Sequence, residues 1–241
     1  MSVIPRILLI SNSTVYGRGY LDHVENEIRT LLGPAKSVLF FPYALFDWDG
    51  YATKAKARFN EMGYALESAH ASKSPTQSIE KTDAIFIGGG NTFRLLKALQ
   101  DLELLDSIRR KIKGGAPYIG SSAGSNVAGP TIKTTKDMPI VQPRSFDSLG
   151  LVPFQISPHF QDSDPNSTHM GETQEERILQ FLEENETPVV GLREGAWILC
   201  ENGAVTLKGS IGARIFRRGE APVEAKPGDN IVDLVGGPNA T

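Results

Sequence analysis

Residues 117–124 have the sequence Pro-Tyr-Ile-Gly-Ser-Ser-Ala-Gly, in which a short apolar run passes directly into five small residues. The apolar run predicts a buried strand, and the segment from Ala123 onward can begin a helix. The pattern Gly120-x-Ser122-x-Gly124 at such a junction is typical of a sharp turn that holds a serine hydroxyl away from the sheet. Glycines suit positions 120 and 124 because side chains there would collide with neighbouring backbone. A tight turn with a capping serine is the alternative interpretation.

The sequence around this turn alternates short strands with helical segments, which predicts a mostly parallel sheet with helices on both faces. The predicted strands cover residues 6–10, 37–41, 84–87 and 117–119. Helices are predicted at residues 21–32, 51–62, 92–99 and 173–182. A hairpin is expected at Glu201-Asn202-Gly203. The pattern is weaker from Ile140 onward, and the tail from Pro227 is expected to be irregular.

The bulk properties favour one domain, residues 1–241, of the α/β class. The net charge of −3 and the lack of a Lys/Arg cluster argue against a nucleic-acid or membrane-surface partner. No apolar stretch approaches the roughly 18 residues of a membrane span. The apolar run Ile7–Ile10 is too short for a signal peptide and predicts the first strand instead. Because Cys200 is the only cysteine, no intrachain disulfide can form, and we expect a cytoplasmic location.

A second glycine cluster, Gly88-Gly-Gly-Asn-Thr92, also follows a predicted strand and precedes a helix. It matches neither the phosphate-binding loop nor the full dinucleotide motif, so a nucleotide site has little support. The backbone N–H of Gly90 is instead predicted to form an oxyanion hole with that of Ala123, beside Ser122. A plain glycine turn, with Asn91 or the next residue capping the helix, is the alternative.

A serine nucleophile needs a base, and His159 is the histidine predicted to lie at a strand end. The other three are expected at the surface: His23, His70 and His169. Two carboxylates could orient the imidazole, Asp137 and Glu194. We favour Glu194 because it closes a strand-like run beside Gly195, with Asp137 in a supporting or substrate-amine role. No metal-binding spacing occurs, so a metal mechanism has no support in the sequence.

Five motifs together resemble peptidase E, the aspartyl dipeptidase family: Gly88–Phe93, Tyr118–Gly124, Thr131–Ile140, Ser157–Phe160 and Gly191–Gly195. The resemblance extends over residues 6–216. It implies a flavodoxin-like fold related to class I glutamine amidotransferases, a Ser-His-acid site without cofactors, and hydrolysis of Asp-Xaa dipeptides. The family's nucleophile falls on Ser122 and its histidine on His159, whereas its acid has been placed at positions matching both Asp137 and Glu194.

Specificity for aspartate requires a cation, and we predict that Arg177 binds the substrate's side-chain carboxylate. Arginine is favoured because its planar fork donates two parallel hydrogen bonds. Asn91 and Thr173 are predicted as further substrate-binding residues. Bacterial relatives often carry an arginine where this chain has Gln174, which leaves the full set of substrate-binding cations open. Two other arginines are less favoured alternatives: Arg144 and Arg193.

Three other functions fit the sequence less well. A cyanophycin-degrading peptidase would share the serine turn and the fold but would need an acidic pocket for its arginine-bearing polymer. An α/β-hydrolase esterase would place its histidine near the C-terminus, whereas about 80 residues follow His159. A non-catalytic binding module is disfavoured by the presence of both Ser122 and His159. The expected partner is a small peptide, and a homodimer is left open.

Overall fold

The computed structural model describes residues 5–166, 168 and 170–237, which contain eleven strands and eight α-helices. The strands are β1 (Ile7–Ile10), β2 (Ser37–Phe41), β3 (Ala65–Ser68), β4 (Ala84–Ile87), β5 (Tyr118–Ser121), β6 (Gln155–Phe160), β7 (Val189–Arg193), β8 (Ala196–Glu201), β9 (Ala204–Gly209), β10 (Ala213–Phe216) and β11 (Val223–Ala225). The helices are α1 (Glu25–Leu32), α2 (Trp48–Glu61), α3 (Pro75–Lys81), α4 (Thr92–Asp101), α5 (Leu105–Lys113), α6 (Ala123–Asn126), α7 (Gln174–Glu184) and α8 (Val232–Val235).

Seven strands form the main sheet in the order β3-β2-β4-β5-β1-β8-β9. Strands β1 to β5 are parallel, and β8 and β9 extend the sheet from β1 as an antiparallel hairpin. Asn202 and Gly203 join that hairpin with φ angles of +51° and +80°, as a tight Asn-Gly turn requires. The second sheet has the order β11-β10-β7-β6, and in it β6 and β7 are parallel.

Alternate side chains of the central strands are buried on opposite faces of the main sheet. Ile7 and Leu9 pack in one hydrophobic cluster with α3, α4 and α5. Leu8 and Ile10 pack in another with α1 and α2. The first cluster also contains residues of the second sheet, such as Ile156. The predicted mostly parallel sheet with helices on both faces is confirmed.

Three helices begin at other residues than the sequence pattern predicts, and α7 differs least, since it begins at Gln174 instead of Thr173. Residues 22–24 form a 3-10 turn, so α1 begins at Glu25 rather than at Leu21. Helix α2 begins at Trp48, three residues before the predicted start. Its first turn is capped by Asp47, whose carboxylate accepts the backbone N–H of Gly50 at 2.9 Å.

The tail from Pro227, expected to be irregular, is ordered in part. Helix α8 lies within it, and the backbone N–H of Ile231 donates to the Val205 carbonyl of β9 at 2.8 Å. Ile231 and Val235 are both buried, because they pack in the main hydrophobic cluster. No helix in the described part of the chain is long and apolar enough to cross a membrane.

Three histidines are expected at the surface, and the two of them that the structure describes are half-buried. His23 is half-buried on the 3-10 turn before α1. His70 is also half-buried, because Ser68 Oγ lies 2.6 Å from its Nδ1 and Asp49 Oδ1 lies 2.9 Å from its Nε2. His169 lies outside the described residues.

Candidate active site

Ser122 occupies the turn between β5 and α6 with φ +52° and ψ −110°, a conformation rarely adopted by residues other than glycine. The flanking glycines make this turn possible. A Cβ on Gly124 would lie 2.1 Å from the carbonyl oxygen of Ile87, and one on Gly120 would lie 2.5 Å from that of Gly124. The turn therefore has the geometry predicted from the sequence.

His159 lies against this turn, with its Nε2 atom 2.8 Å from Ser122 Oγ. It sits near the end of β6, at a bulge in the pairing with β7, and has a φ of +54°. Its backbone N–H donates to Ser11 Oγ at 2.9 Å, and its carbonyl accepts from Lys136 Nζ at 2.6 Å. Two polar side chains thus hold a strained backbone that directs the imidazole toward Ser122.

Glu194 follows β7 directly, and its Oε1 atom lies 2.6 Å from His159 Nδ1. The corner that carries Glu194 is held by Asn12, whose Oδ1 accepts the backbone N–H of Gly195 at 2.8 Å. A carboxylate at Nδ1 fixes the imidazole tautomer and leaves Nε2 facing the serine. Ser122, His159 and Glu194 therefore form one hydrogen-bonded chain.

Asp137, the other candidate acid, makes no hydrogen bond to His159 in the described part of the chain. Its Oδ2 atom accepts the Thr92 N–H at 2.7 Å, the Thr92 hydroxyl at 2.6 Å and the Thr135 hydroxyl at 3.2 Å. Its Oδ1 atom has no hydrogen-bond donor among the described residues. Asp137 lines the pocket beside Ser122 and also the neighbouring pocket that Arg177 lines.

The glycine turn after β4 packs directly on the serine turn. A Cβ on Gly89 would lie 2.9 Å from Ser122 Cβ, and the Gly89 N–H donates to Tyr51 Oη at 2.9 Å. The next residue, Gly90, has a φ of +134°. Within the described residues the backbone N–H groups of Gly90 and Ala123 have no acceptor, so both are free to bind an oxyanion. Their assignment to an oxyanion hole stays a prediction.

The predicted substrate-binding side chains do not line the pocket beside Ser122. Arg177 is exposed on α7, with its Nε 3.7 Å from Glu172 Oε2, and lines a neighbouring pocket. The side-chain oxygens of Asn91 and Thr173 accept N–H groups in the first turns of α4 and α7. Helix capping accounts for both residues, and a contact of any of the three with substrate stays a prediction.

The alternative arginines are engaged elsewhere, because each pairs with carboxylates. Arg144 Nε lies 3.5 Å from Asp101, and Arg193 lies 2.7 Å from Asp162 and 3.0 Å from Glu224.

The pocket beside Ser122 has a volume of about 660 Å³ and is lined by Ser13, Tyr20, Leu45, Asp47, Gly50, Tyr51, Lys54, Gly89, Gly90, Ser122, Asp137 and His159. No group of three or more His, Cys, Asp or Glu side chains in the described residues is placed to hold a metal ion.

Sequence reasoning missed three residues that hold this site together. Ser11 and Asn12 follow β1 directly, and this position at a strand end is a signal that could have indicated them. Ser11 also donates its hydroxyl to the Leu192 carbonyl at 2.8 Å, so it connects the two sheets beside His159. Lys136 lies in the motif Thr131–Ile140, but no sequence pattern indicates that its ammonium group donates a hydrogen bond to the His159 carbonyl.

Lys136 has an unusual electrostatic environment. Its ammonium group donates to the His159 carbonyl and, at 3.0 Å, to Gln174 Oε1. Although much of the residue is exposed, partial burial of the charged end lowers the pKa of Lys136 to about 8. The Asp137 and Glu194 carboxylates oppose that change, and the Arg177 charge adds to it. Lys136 is therefore charged at neutral pH and loses its proton in mildly alkaline solution.

The fold and the Ser122–His159 pair define a serine-type peptidase built on an α/β sheet, and the comparisons with known proteins agree. The model of peptidase family S51 matches residues 7–208 of the chain. The protein belongs to peptidase family S51.

Several relatives carry more specific names. "Peptidase E" of Streptomyces coelicolor is 47% identical over 229 residues, which cover 95% of this chain and 94% of that protein. A Drosophila melanogaster protein named "Probable alpha-aspartyl dipeptidase" is 42% identical over 224 residues, 92% of this chain and 93% of the other. The crystal structure of a peptidase from an acI-B1 Actinobacterium matches with a TM-score of 0.73 at 14% identity, covering 95% of this chain and 97% of that one. The family assignment and the flavodoxin-like α/β fold predicted from the sequence are confirmed.

The titration of Lys136 leads to an expected pH dependence of peptidase activity. Above about pH 8 the amine is neutral and donates a weaker hydrogen bond to the His159 carbonyl. Since a charge-assisted bond exceeds a neutral one by about 1 kcal/mol, kcat should fall roughly fivefold between pH 7 and pH 9. Lys136→Met should already have the lowered kcat at pH 7, and its kcat should not fall further between pH 7 and pH 9. The measurement is the pH profile of kcat for both proteins.

A matched control is Lys133→Met, since Lys133 is an exposed lysine of the same segment whose Nζ lies 3.4 Å from Asn185 Oδ1. It should keep the alkaline decline of the wild type. An identical decline in Lys136→Met would show that another group titrates, and the positioning role of Lys136 would then be rejected.

Proposed function

We propose that the protein is a cytoplasmic serine dipeptidase that hydrolyses peptides with an N-terminal aspartate. The observation that carries the proposal is the hydrogen-bonded chain Ser122–His159–Glu194, which lies beside a pocket large enough for a dipeptide. The preference for aspartate is supported by the names of the full-length relatives, peptidase E and alpha-aspartyl dipeptidase.

In the proposed acylation step, Ser122 Oγ attacks the scissile carbonyl carbon while His159 Nε2 takes the hydroxyl proton. Glu194 stabilises the imidazolium that forms. The carbonyl oxygen becomes an oxyanion, which accepts hydrogen bonds from the N–H groups of Gly90 and Ala123. When the tetrahedral intermediate collapses, the C–N bond breaks and the imidazolium protonates the departing amine. The second amino acid leaves, and an aspartyl ester remains on Ser122.

Deacylation repeats the same steps with water. His159 takes a proton from a water molecule, the resulting hydroxide attacks the ester carbonyl, and the proton returns to Ser122 as the C–O bond breaks. Aspartate is released. Apart from the water molecule, each step uses only side chains and N–H groups of this chain, so no cofactor is part of the proposal.

Asp137 is proposed to bind the substrate's α-ammonium group. Its Oδ2 atom is occupied by the hydroxyl and N–H donors of Thr92 and Thr135, its Oδ1 atom has no donor among the described residues, and the residue lines the pocket beside Ser122. A carboxylate fixed in this way favours peptides with a free N-terminus, because an uncharged end would leave it unpaired. This contact would define the enzyme as an exopeptidase.

The alternative functions have less support. Membership of family S51 separates the chain from α/β-hydrolase esterases, and the order Ser122, His159, Glu194 differs from their order of serine, acid and histidine. Cys200 is fully buried in β8, and burial raises the pKa of its thiol to about 12, so it is not an amidotransferase nucleophile. A cyanophycin-degrading activity is best tested directly with an aspartyl-arginine polymer.

The test of the proposed function is hydrolysis of Asp-Leu and Asn-Leu, followed by mass spectrometry. We expect kcat/KM for Asp-Leu to exceed that for Asn-Leu by at least about 100-fold, because a site built for a carboxylate rejects a neutral isostere. N-acetyl-Asp-Leu, which lacks the ammonium group, should be a poor substrate. Equal rates for Asp-Leu and Asn-Leu would remove aspartate specificity from the proposal.

The location and oligomeric state are also proposals. A reducing compartment is favoured by the single, buried Cys200, and fractionation of cells with an antibody against the protein would test a cytoplasmic location. A homodimer is proposed alongside the monomer, and light scattering would distinguish them. No nucleic-acid partner is proposed, because the net charge is −3.

A further inference from the structure

One face of helix α2 forms a wall of the pocket beside Ser122. Residues Asp47, Gly50, Tyr51 and Lys54 all line this pocket. Their spacing of three, four and seven residues from the N-cap places them on one side of the helix. Tyr51 also fixes the helix to the glycine turn, because its hydroxyl accepts the Gly89 N–H at 2.9 Å. Lys54 is therefore carried by an element that is attached directly to the serine site.

Lys54 is the one lysine or arginine among the described residues that line this pocket. Its Nζ atom lies over the ring of Tyr20, 4.6 Å from the centroid, which is a favourable cation–π contact. No carboxylate of the described residues lies within 4.0 Å of it. The aromatic ring thus holds the ammonium group in the pocket without neutralising its charge, and a carboxylate can still bind to it.

The charged groups of the pocket match those of an N-terminal aspartyl residue. Such a residue has an α-ammonium group, a β-carboxylate and the scissile carbonyl within a few bonds of one α-carbon. The pocket provides Asp137 for the α-ammonium group and Ser122 for the scissile carbonyl. We propose that Lys54 Nζ binds the β-carboxylate and thereby determines the preference for aspartate, an inference that rests on the proposed function.

Lys54 is better placed for this role than Arg177. Arg177 lines a different pocket and lies near Glu172, with an Nε to Oε2 distance of 3.7 Å. Its pocket shares Asp137 alone with the pocket beside Ser122, whereas Lys54 lines the pocket beside Ser122 directly. A lysine also gives a simple physical basis for rejecting asparagine, because an amide cannot neutralise its charge.

The test is a comparison of wild type and Lys54→Met on three substrates: Asp-Leu, Asn-Leu and Asp-Leu amide. The variant should lose at least about 30-fold in kcat/KM for Asp-Leu, as expected when one partner of a charge pair is removed. It should change by less than about threefold for Asn-Leu, which has no β-carboxylate. The loss should be the same for Asp-Leu amide, which lacks only the C-terminal carboxylate. Lys54→Arg should retain most of the preference for aspartate.

Two matched variants complete the experiment. Lys56→Met removes an exposed lysine of the same helix that lines another pocket, and it should behave as the wild type. Arg177→Met should leave the preference unchanged. If Arg177→Met loses the preference while Lys54→Met keeps it, the role belongs to Arg177 and the inference is wrong.

The remaining outcomes separate this inference from the proposed function. A wild-type enzyme that cleaves Asp-Leu and Asn-Leu equally would contradict the proposed function itself. A wild type that prefers aspartate, together with a Lys54→Met variant that loses equally on all three substrates, would contradict only the inference. If Lys54→Met loses kcat/KM on Asp-Leu but not on Asp-Leu amide, Lys54 binds the C-terminal carboxylate instead. That result would also overturn the inference.

Discussion

Replacement of Ser122 by alanine is expected to lower kcat for Asp-Leu by about 10⁴-fold or more, with the free energy of unfolding unchanged. The large effect is expected because members of a serine–histidine–acid unit act together, so loss of the nucleophile removes the benefit of all of them. Stability should be kept because the Ser122 side chain is not part of the core and makes one hydrogen bond, to His159. The measurements are steady-state kinetics and urea unfolding.

The neighbouring serine provides a matched control. Ser121 is fully buried at the end of β5, and its hydroxyl has no hydrogen-bond partner among the described residues. Ser121→Ala should therefore retain activity. A serine-directed phosphonate should label the wild type at Ser122 and should not label Ser122→Ala. Retained activity in Ser122→Ala would exclude the serine mechanism. Loss of wild-type activity in EDTA would contradict the expectation that no metal is involved.

Replacement of Glu194 by glutamine should lower kcat by about 10⁴-fold, because an amide at Nδ1 favours the wrong imidazole tautomer. The structure motivates the prediction through the 2.6 Å distance between Glu194 Oε1 and His159 Nδ1. Asp137→Asn should act mainly through KM, since Asp137 faces the pocket and not the histidine. Both variants are compared by kcat and KM for Asp-Leu.

The reverse pattern would change the assignment of the acid. If Glu194→Gln keeps kcat within about tenfold of the wild type while Asp137→Asn abolishes it, then Asp137 orients His159 during catalysis. Circular dichroism and thermal unfolding of each variant would separate these kinetic effects from a loss of structure. Asp137→Asn needs that control most, because its carboxylate accepts the backbone N–H at the start of α4.

The elements around the serine turn could be predicted because they depend on local patterns. Strands β2 and β4 have the predicted bounds, and Gly120 and Gly124 mark the turn because no other residue fits so close to backbone atoms. The short strands β3, β10 and β11 were not predicted. They lack the continuous buried apolar run by which β1 and β4, which are equally short, are recognised in the sequence.

The candidate catalytic residues Ser122 and His159 were also predictable, since a nucleophile turn and a histidine at a strand end each have a local signature. The sequence leaves a choice between Glu194 and Asp137 as the acid, because both carboxylates follow loops or strand ends. The structure favours Glu194 through a contact between residues 35 positions apart. Such a contact depends on β6 and β7 pairing in parallel, which the sequence around either residue does not specify.

The sequence by itself determined the layered α/β architecture, the serine turn and its histidine, because hydrophobic periodicity and glycine sterics act between near neighbours along the chain. Only the tertiary structure decided which charges face the ligand. Lys54 and Arg177 look alike as exposed helical cations, yet α2 carries Lys54 into the Ser122 pocket and α7 carries Arg177 into another. The position of a charge relative to a distant serine depends on how helices pack on the sheet, and that packing involves residues far apart in sequence.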